Sequence, residues 1–105
     1  KMSFSCCGDP EFNRRLEALG RRTAILTGVE AHICVSQTAH DLLAQGYKVH
    51  VPEDAVCSRR EANQRNGLEK MRHAGAVVTS AEAVIFELLG CAGTDEFREI
   101  LRVVK

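Results

Sequence analysis

The stretch Thr27–Gly46, TGVEAHICVSQTAHDLLAQG, places Cys34 a few residues past an apolar run and at the start of a helical pattern. In open α/β sheets, functional groups gather beyond the carboxyl ends of the strands. The first turn of a helix also offers unpaired N–H groups and the positive end of the helix dipole. Both favour a thiolate over a thiol, and the thiolate is the nucleophile of covalent catalysis. The same N–H groups could hold an oxyanion. The plain alternative is a small buried hydrophobe on the inner side of a helix, and the residues alone leave both readings open. His32 and His40 lie two and six residues from Cys34 and so face elsewhere on a helix. Both read as rim or surface histidines, with His32 a candidate substrate-side contact.

The remaining cysteines are Cys6, Cys7, Cys57 and Cys91. An odd total without C-x-x-C spacing argues against a disulfide scaffold or a structural zinc site. It fits reduced thiols in a cytoplasmic protein. Cys57 and Cys91 read as small buried hydrophobes, and Cys6 has the same reading beside a weak alternative, a redox or metal pair with Cys7. On its own, Lys1 reads as a solvated terminal charge. The 14 basic residues balance the 14 acidic ones, which gives no footprint for nucleic acid or an anionic membrane. The apolar runs are too short to cross a bilayer. No G-x-G-x-x-G or phosphate-binding loop follows a strand, so a nucleotide-binding domain ranks last.

These residues must be positioned by the elements around them. Asp9–Leu19 reads as a helix with Asp9 as N-cap, Pro10 at its first position, and Phe12, Leu16 and Leu19 on the buried stripe. Thr23–Gly28, TAILTG, reads as a strand, apolar enough to be central. Ala31–Gln45 is a helix with Ile33, Val35, Ala39, Leu42 and Leu43 inward, ended by Gly46. Tyr47–Glu53 alternates as a strand does. Arg60–Ala74 is a polar helix with Leu68 and Met71 inward, and Arg59 and Arg60 are expected to cap it. Ala76–Ser80 is a third strand, Ser80 caps the helix Ala81–Leu89, and Thr94 caps a last helix from Asp95 to about Val103. Strand–helix alternation three times over predicts an α/β fold with a parallel sheet of about three strands. A parallel sheet normally has more. With a first residue other than Met, this suggests the C-terminal portion (1–105) of a longer single domain.

The segment Thr27–Arg59 closely resembles the isochorismatase-like cysteine hydrolase superfamily, which includes nicotinamidases, N-carbamoylsarcosine amidases and isochorismatases. Its pattern G-[VI]-x-[AT]-x-x-C-V-x-x-T-A-x-D is matched by Gly28, Val29, Ala31, Cys34, Val35, Thr38, Ala39 and Asp41, followed by Gly46, Asp54 and Ala55. KMSFS resembles the family's lysine segment, K-x-x-[FY]-S. The nearest subgroup looks like the isochorismatase domain-containing hydrolases. The resemblance implies a three-layer α/β/α sandwich and an Asp–Lys–Cys triad, with Cys34 as nucleophile and Lys1 as the triad lysine. It implies a cis peptide at Val29–Glu30, oxyanion donors at the Glu30 and Cys34 N–H groups, and substrate contacts from Phe4, Ala31 and His32. The chemistry would be hydrolysis of a small amide or related carbonyl through an acyl-thioester, with no cofactor and a homo-oligomeric full-length form. The triad aspartate would lie upstream of Lys1. Asp9, Asp41, Asp54 and Asp95 are not at that place, so turnover is not expected from these residues alone. The scattered His32, His40, His50 and His73 do not resemble the family's metal ligands, and no metal is predicted. The alternative is a non-catalytic fold kept for binding or oligomer assembly.

Overall fold

A computed structural model describes residues 1–104. Asp9 accepts the Glu11 N–H at 2.9 Å and Pro10 opens the first helix, α1 (Pro10–Ala18). Strands β1 (Thr23–Ile25) and β2 (Gly28–Val29) follow, then a π-helical turn (Ala31–Val35) that runs into α2 (Ser36–Ala44). Next come β3 (Lys48–Pro52), β4 (Val56–Cys57), α3 (Glu61–Ala74), β5 (Val77–Thr79), α4 (Ala81–Leu89) and α5 (Asp95–Val104). The N-caps of the last two helices are the expected ones. Ser80 Oγ accepts the Ala83 N–H and Thr94 Oγ1 accepts the Phe97 N–H.

All strand pairing is parallel. One sheet has the order β1-β3-β5, and a second, two-stranded sheet pairs β2 with β4 in the register Gly28↔Val56 and Val29↔Cys57. The expected α/β class and parallel sheet are therefore present. The β2–β4 pair is an addition that two-residue strands do not announce in a sequence. TAILTG is apolar enough for a central strand, with an open edge expected where upstream strands are not included, and among the described residues β1 has that open edge beside the central β3. Val49 and Val51 are almost fully buried, whereas β1 is an edge strand whose Ile25 is 44 % exposed. Burial on a strand follows from its neighbours, and β1 has a partner on one side only among the described residues.

The core gathers Val35, Ala39 and Leu42 from the π turn and α2, Leu68 and Met71 from α3, and Val49 and Val51 from β3. Each of these valine, leucine and methionine side chains contributes roughly 1.5–3 kcal/mol on leaving water. By contrast α1, α4 and α5 hold no fully buried residue. Phe12 and Leu16 are half-buried, but Leu19 is 68 % exposed, so the expected buried stripe of α1 ends at Leu16. The reason is that Leu19 lies past the last helical residue, on the turn toward Gly20. Cys57 and Cys91 are also exposed instead of buried. Cys57 ends the two-residue β4, and Cys91 follows α4 in a loop.

The tightest approach joins α3 to the π turn. A Cβ placed on Gly67 would lie 2.8 Å from His32 Cα and 3.1 Å from the Ala31 carbonyl oxygen. These are backbone atoms and cannot swing aside. Gly67→Ala is therefore expected to cost roughly 1–3 kcal/mol as an overpacked contact, although alanine favours a helix by about 1 kcal/mol. A lowered urea midpoint with an unchanged slope is the expected result. An unchanged or raised midpoint would show that α3 is not held by this contact.

Candidate active site around Cys34

The turn that presents Cys34 begins at Glu30. Among the described residues it alone, apart from glycines, has a positive φ (φ 58°, ψ 68°). That conformation costs a residue with a Cβ about 1–2 kcal/mol, so the surroundings must hold it. The Glu30 carbonyl accepts the Ile33 and Val35 N–H groups at 3.0 and 3.4 Å. Its carboxylate accepts the Arg59 backbone N–H at 3.2 Å and Arg59 Nε at 3.0 Å. The bonds from Val35 to Glu30 and from Ser36 to Ala31 span five residues. Such π turns are rare and recur at functional sites. No cis peptide bond occurs among the described residues, so the expected cis bond at Val29–Glu30 is corrected. The chain reverses through the φ of Glu30 instead.

Arg59 also corrects an expectation. It pairs with Glu30 rather than capping α3, and Arg60, at the N-cap position, makes no side-chain cap bond. Burial works against ionisation of Glu30, but the bonds to Arg59 and its charge outweigh this and hold the carboxyl below the usual range.

A second set of contacts docks the N-terminal segment onto α2. The buried Ser5 donates its hydroxyl to Asp41 Oδ2 at 2.6 Å and accepts the Cys7 N–H at 3.1 Å. The buried Thr38 accepts the Cys6 N–H through Oγ1 at 2.9 Å. Thr38 and Asp41 thus fasten the Lys1–Gly8 end beside the turn that bears Cys34. Cys7 packs against the core, and burial pushes its thiol pKa up.

Between these two supports lies a cavity of about 130 Å³, lined by Cys6, Leu26, Thr27, Val29, Cys34, Val35 and Thr38. Cys34 is half-buried in its wall. Lys1 is exposed and makes none of the hydrogen bonds or ion pairs found among the described residues, and Phe4 is 59 % exposed. His32 is half-buried and shares a hydrogen bond with Ser58 Oγ at 2.8 Å through Nδ1. Ala31 is completely buried where α3 presses on the turn, so its expected substrate contact is corrected to a packing role. His40 Nδ1 is bonded to the Ser36 carbonyl. No aspartate lines the cavity. Asp9 caps α1, Asp41 holds Ser5, Asp54 accepts the Ala81 N–H at the start of α4, and Asp95 faces Arg98. No group of three or more metal-ligating side chains occurs among the described residues, nor does any helix long and apolar enough to cross a membrane.

Two predictions follow from these supports. Glu30 has a lowered pKa in the fold, so its pairing stabilises above the unfolded-state carboxyl value and is lost as pH falls through the folded one. Glu30→Gln should therefore flatten the acid limb of the stability curve, measured by urea titration from pH 7 downward; parallel curves for both proteins would refute the clamp. Thr38→Val removes the acceptor for the Cys6 N–H at nearly constant volume. It should cost about 1–3 kcal/mol and speed amide exchange at Cys6, whereas unchanged exchange would show that the segment is held without Thr38.

Comparison with known proteins places this geometry. The family model "Isochorismatase domain" matches residues 1–83. The secreted isochorismatase effector Isc1 of Phytophthora sojae is 44 % identical over 107 residues, covering all of this chain and 50 % of the effector. The structure of MAR1 ribonuclease from Caenorhabditis elegans superimposes with a TM-score of 0.91 at 38 % identity, over 99 % of this chain and 53 % of that one. A nicotinamidase from Staphylococcus aureus gives a TM-score of 0.72 at 25 % identity, over 76 % of this chain and 50 % of its own. The chain spans about half the length of the effector and about a third of a salmon isochorismatase domain-containing protein.

Proposed function

The chain belongs to the isochorismatase family, and on that premise we propose that Cys34 is the nucleophile of a hydrolase acting on a small amide or related carbonyl compound. The observation that carries this reading is the placement of a half-buried thiol in the wall of a small cavity by a backbone reversal that the fold holds from two sides. The Cys34 thiolate adds to the carbonyl carbon, and a C–S bond forms. The oxyanion is received by the Glu30 and Cys34 N–H groups. Collapse of the adduct breaks the C–N bond, the amine leaves with a proton, and water then cleaves the thioester. Lys1, carried on the segment that Ser5 and Thr38 dock, steadies the thiolate. The base that moves the proton is an aspartate outside this chain, because all four of its own aspartates are committed elsewhere.

The cavity is small and its walls are largely aliphatic, which suits a compact substrate over a polymer. The name of the Caenorhabditis elegans neighbour favours a second reading, phosphodiester cleavage in RNA. The balanced charge of this chain and the small, largely aliphatic cavity speak for the first. A working thiolate also favours a reducing compartment such as the cytoplasm.

The test compares thiols within one protein. Exposed Cys57 and Cys91 are internal references, and iodoacetamide at neutral pH should label Cys34 faster than either, by on the order of tenfold. Equal rates would end the nucleophile reading. In a protein carrying the full family domain, Cys34→Ser should lower amide hydrolysis by on the order of a thousandfold, with RNA as the competing substrate. RNA cleavage that survives the substitution would favour the second reading.

A further inference from the structure

Cys6 and Cys34 line the same cavity, although 28 residues separate them in the chain. The Cys6 N–H is fixed to Thr38, one helical turn beyond Cys34. Thr38 and Cys34 share the cavity wall with Cys6, and a disulfide asks for Cα separations of roughly 4.4–6.8 Å. Docking on Thr38 therefore brings Cys6 to the turn that carries Cys34. Both are half-buried, within reach of a small oxidant. The neighbouring Cys7 points elsewhere. It packs on the core, does not line the cavity, and burial pushes its thiol pKa up.

We propose that Cys6 and Cys34 form a paired-thiol modification site for hydroperoxides, in which Cys6 resolves an oxidised Cys34. The proposal rests on the reading of Cys34 as a reactive thiol. The Cys34 thiolate attacks one peroxide oxygen. The S–O bond forms, the O–O bond breaks, sulfur is oxidised to the sulfenic acid, and the other oxygen leaves as water after protonation. The Cys6 thiolate then attacks the Cys34 sulfur. The S–S bond forms, the S–O bond breaks, and hydroxide leaves as a second water, taking up the proton that Cys6 gave up. Two thiols and one peroxide yield one disulfide and two waters. The disulfide blocks the nucleophile reversibly and keeps it from the irreversible sulfinic state.

The chain is treated with a small excess of hydrogen peroxide, quenched with iodoacetamide and digested with trypsin without reductant. A linked pair of peptides 2–14 and 23–48 is expected, with fragmentation assigning the bond to Cys6. Cys34 alkylation should fall in parallel and return fully on adding dithiothreitol. In Cys6→Ser, and in Cys6→Ala as a second variant, Cys34 should pass to the sulfinic acid and recover little. Cys7→Ser should behave as the parent. Rapid alkylation of Cys34 before oxidation, with no linked pair and equal recovery in the parent and Cys6→Ser, would overturn this proposal alone. Alkylation of Cys34 no faster than Cys57 would overturn it together with the nucleophile reading.

Discussion

The left-handed Glu30 is the constraint on which the site depends. A side chain in that region of backbone space is disfavoured, and nothing within Glu30 offsets the cost. It is held from outside. Arg59, at the far end of the β2–β4 pairing, grips the carboxylate by both its main chain and its guanidinium. From another side Gly67 lets α3 close to van der Waals distance of the turn's own backbone. An exposed ion pair by itself is worth little. Here the Arg59 guanidinium is exposed but Glu30 is 22 % exposed, and the carboxylate also accepts the Arg59 main-chain N–H two residues beyond β4. The reversal thus ties β2, β4 and α3 to one residue, four positions before Cys34.

The N-terminal segment is a second problem in polymer physics. Bringing Cys6 onto Thr38 closes a loop of about 32 residues, which costs on the order of 3 kcal/mol by the logarithmic rule. One hydrogen bond, worth about 1 kcal/mol net, does not meet that. The structure supplies two bonds across the loop, Ser5 to Asp41 and Cys6 to Thr38, and packing of Cys7 against the core adds apolar burial. The intervening β1 also pairs with β3, so much of the closure is shared with the sheet. Docking is cooperative in this sense: the buried Ser5 hydroxyl joins Asp41 to the Cys7 main chain, so its loss removes both bonds at once.

Element type was readable because local chemistry decides it. Asp9-Pro10, Ser80 and Thr94 start helices through caps that lie within three residues, and Gly46 and Gly75 stop them. The inward faces of α2 and α3 followed from the 3.6-residue period. Long-range neighbours decide what was not readable. The exposure of Cys57, the two-residue β2 and β4 and the full burial of Ala31 all depend on what packs there. Arg59 is the clearest case. It sits before a helix like many capping residues, and only the fold shows Glu30 beside it, 29 positions away in sequence. At the site itself, the place of Cys34 was legible from its position after a strand, whereas the roles of Thr38 and Asp41 were visible in the sequence only as a resemblance and acquired a physical meaning from their bonds to Cys6 and Ser5.

The distribution of aspartates separates two parts of the chemistry. Holding a thiol in a cavity wall requires a turn, its clamp and a docked segment, and all of these lie within the described residues. Moving a proton to and from that thiol requires a base in the cavity, and no carboxylate lines it. Asp9 and Asp54 accept helix N-terminal N–H groups away from the cavity, and Asp95 is an exposed partner of Arg98. Asp41 alone belongs to the supports beside Cys34, and there it is occupied by the Ser5 hydroxyl. The described residues thus supply the turn, its clamp and the docked segment that place the Cys34 thiol, while the cavity they form holds no carboxylate to serve as a base.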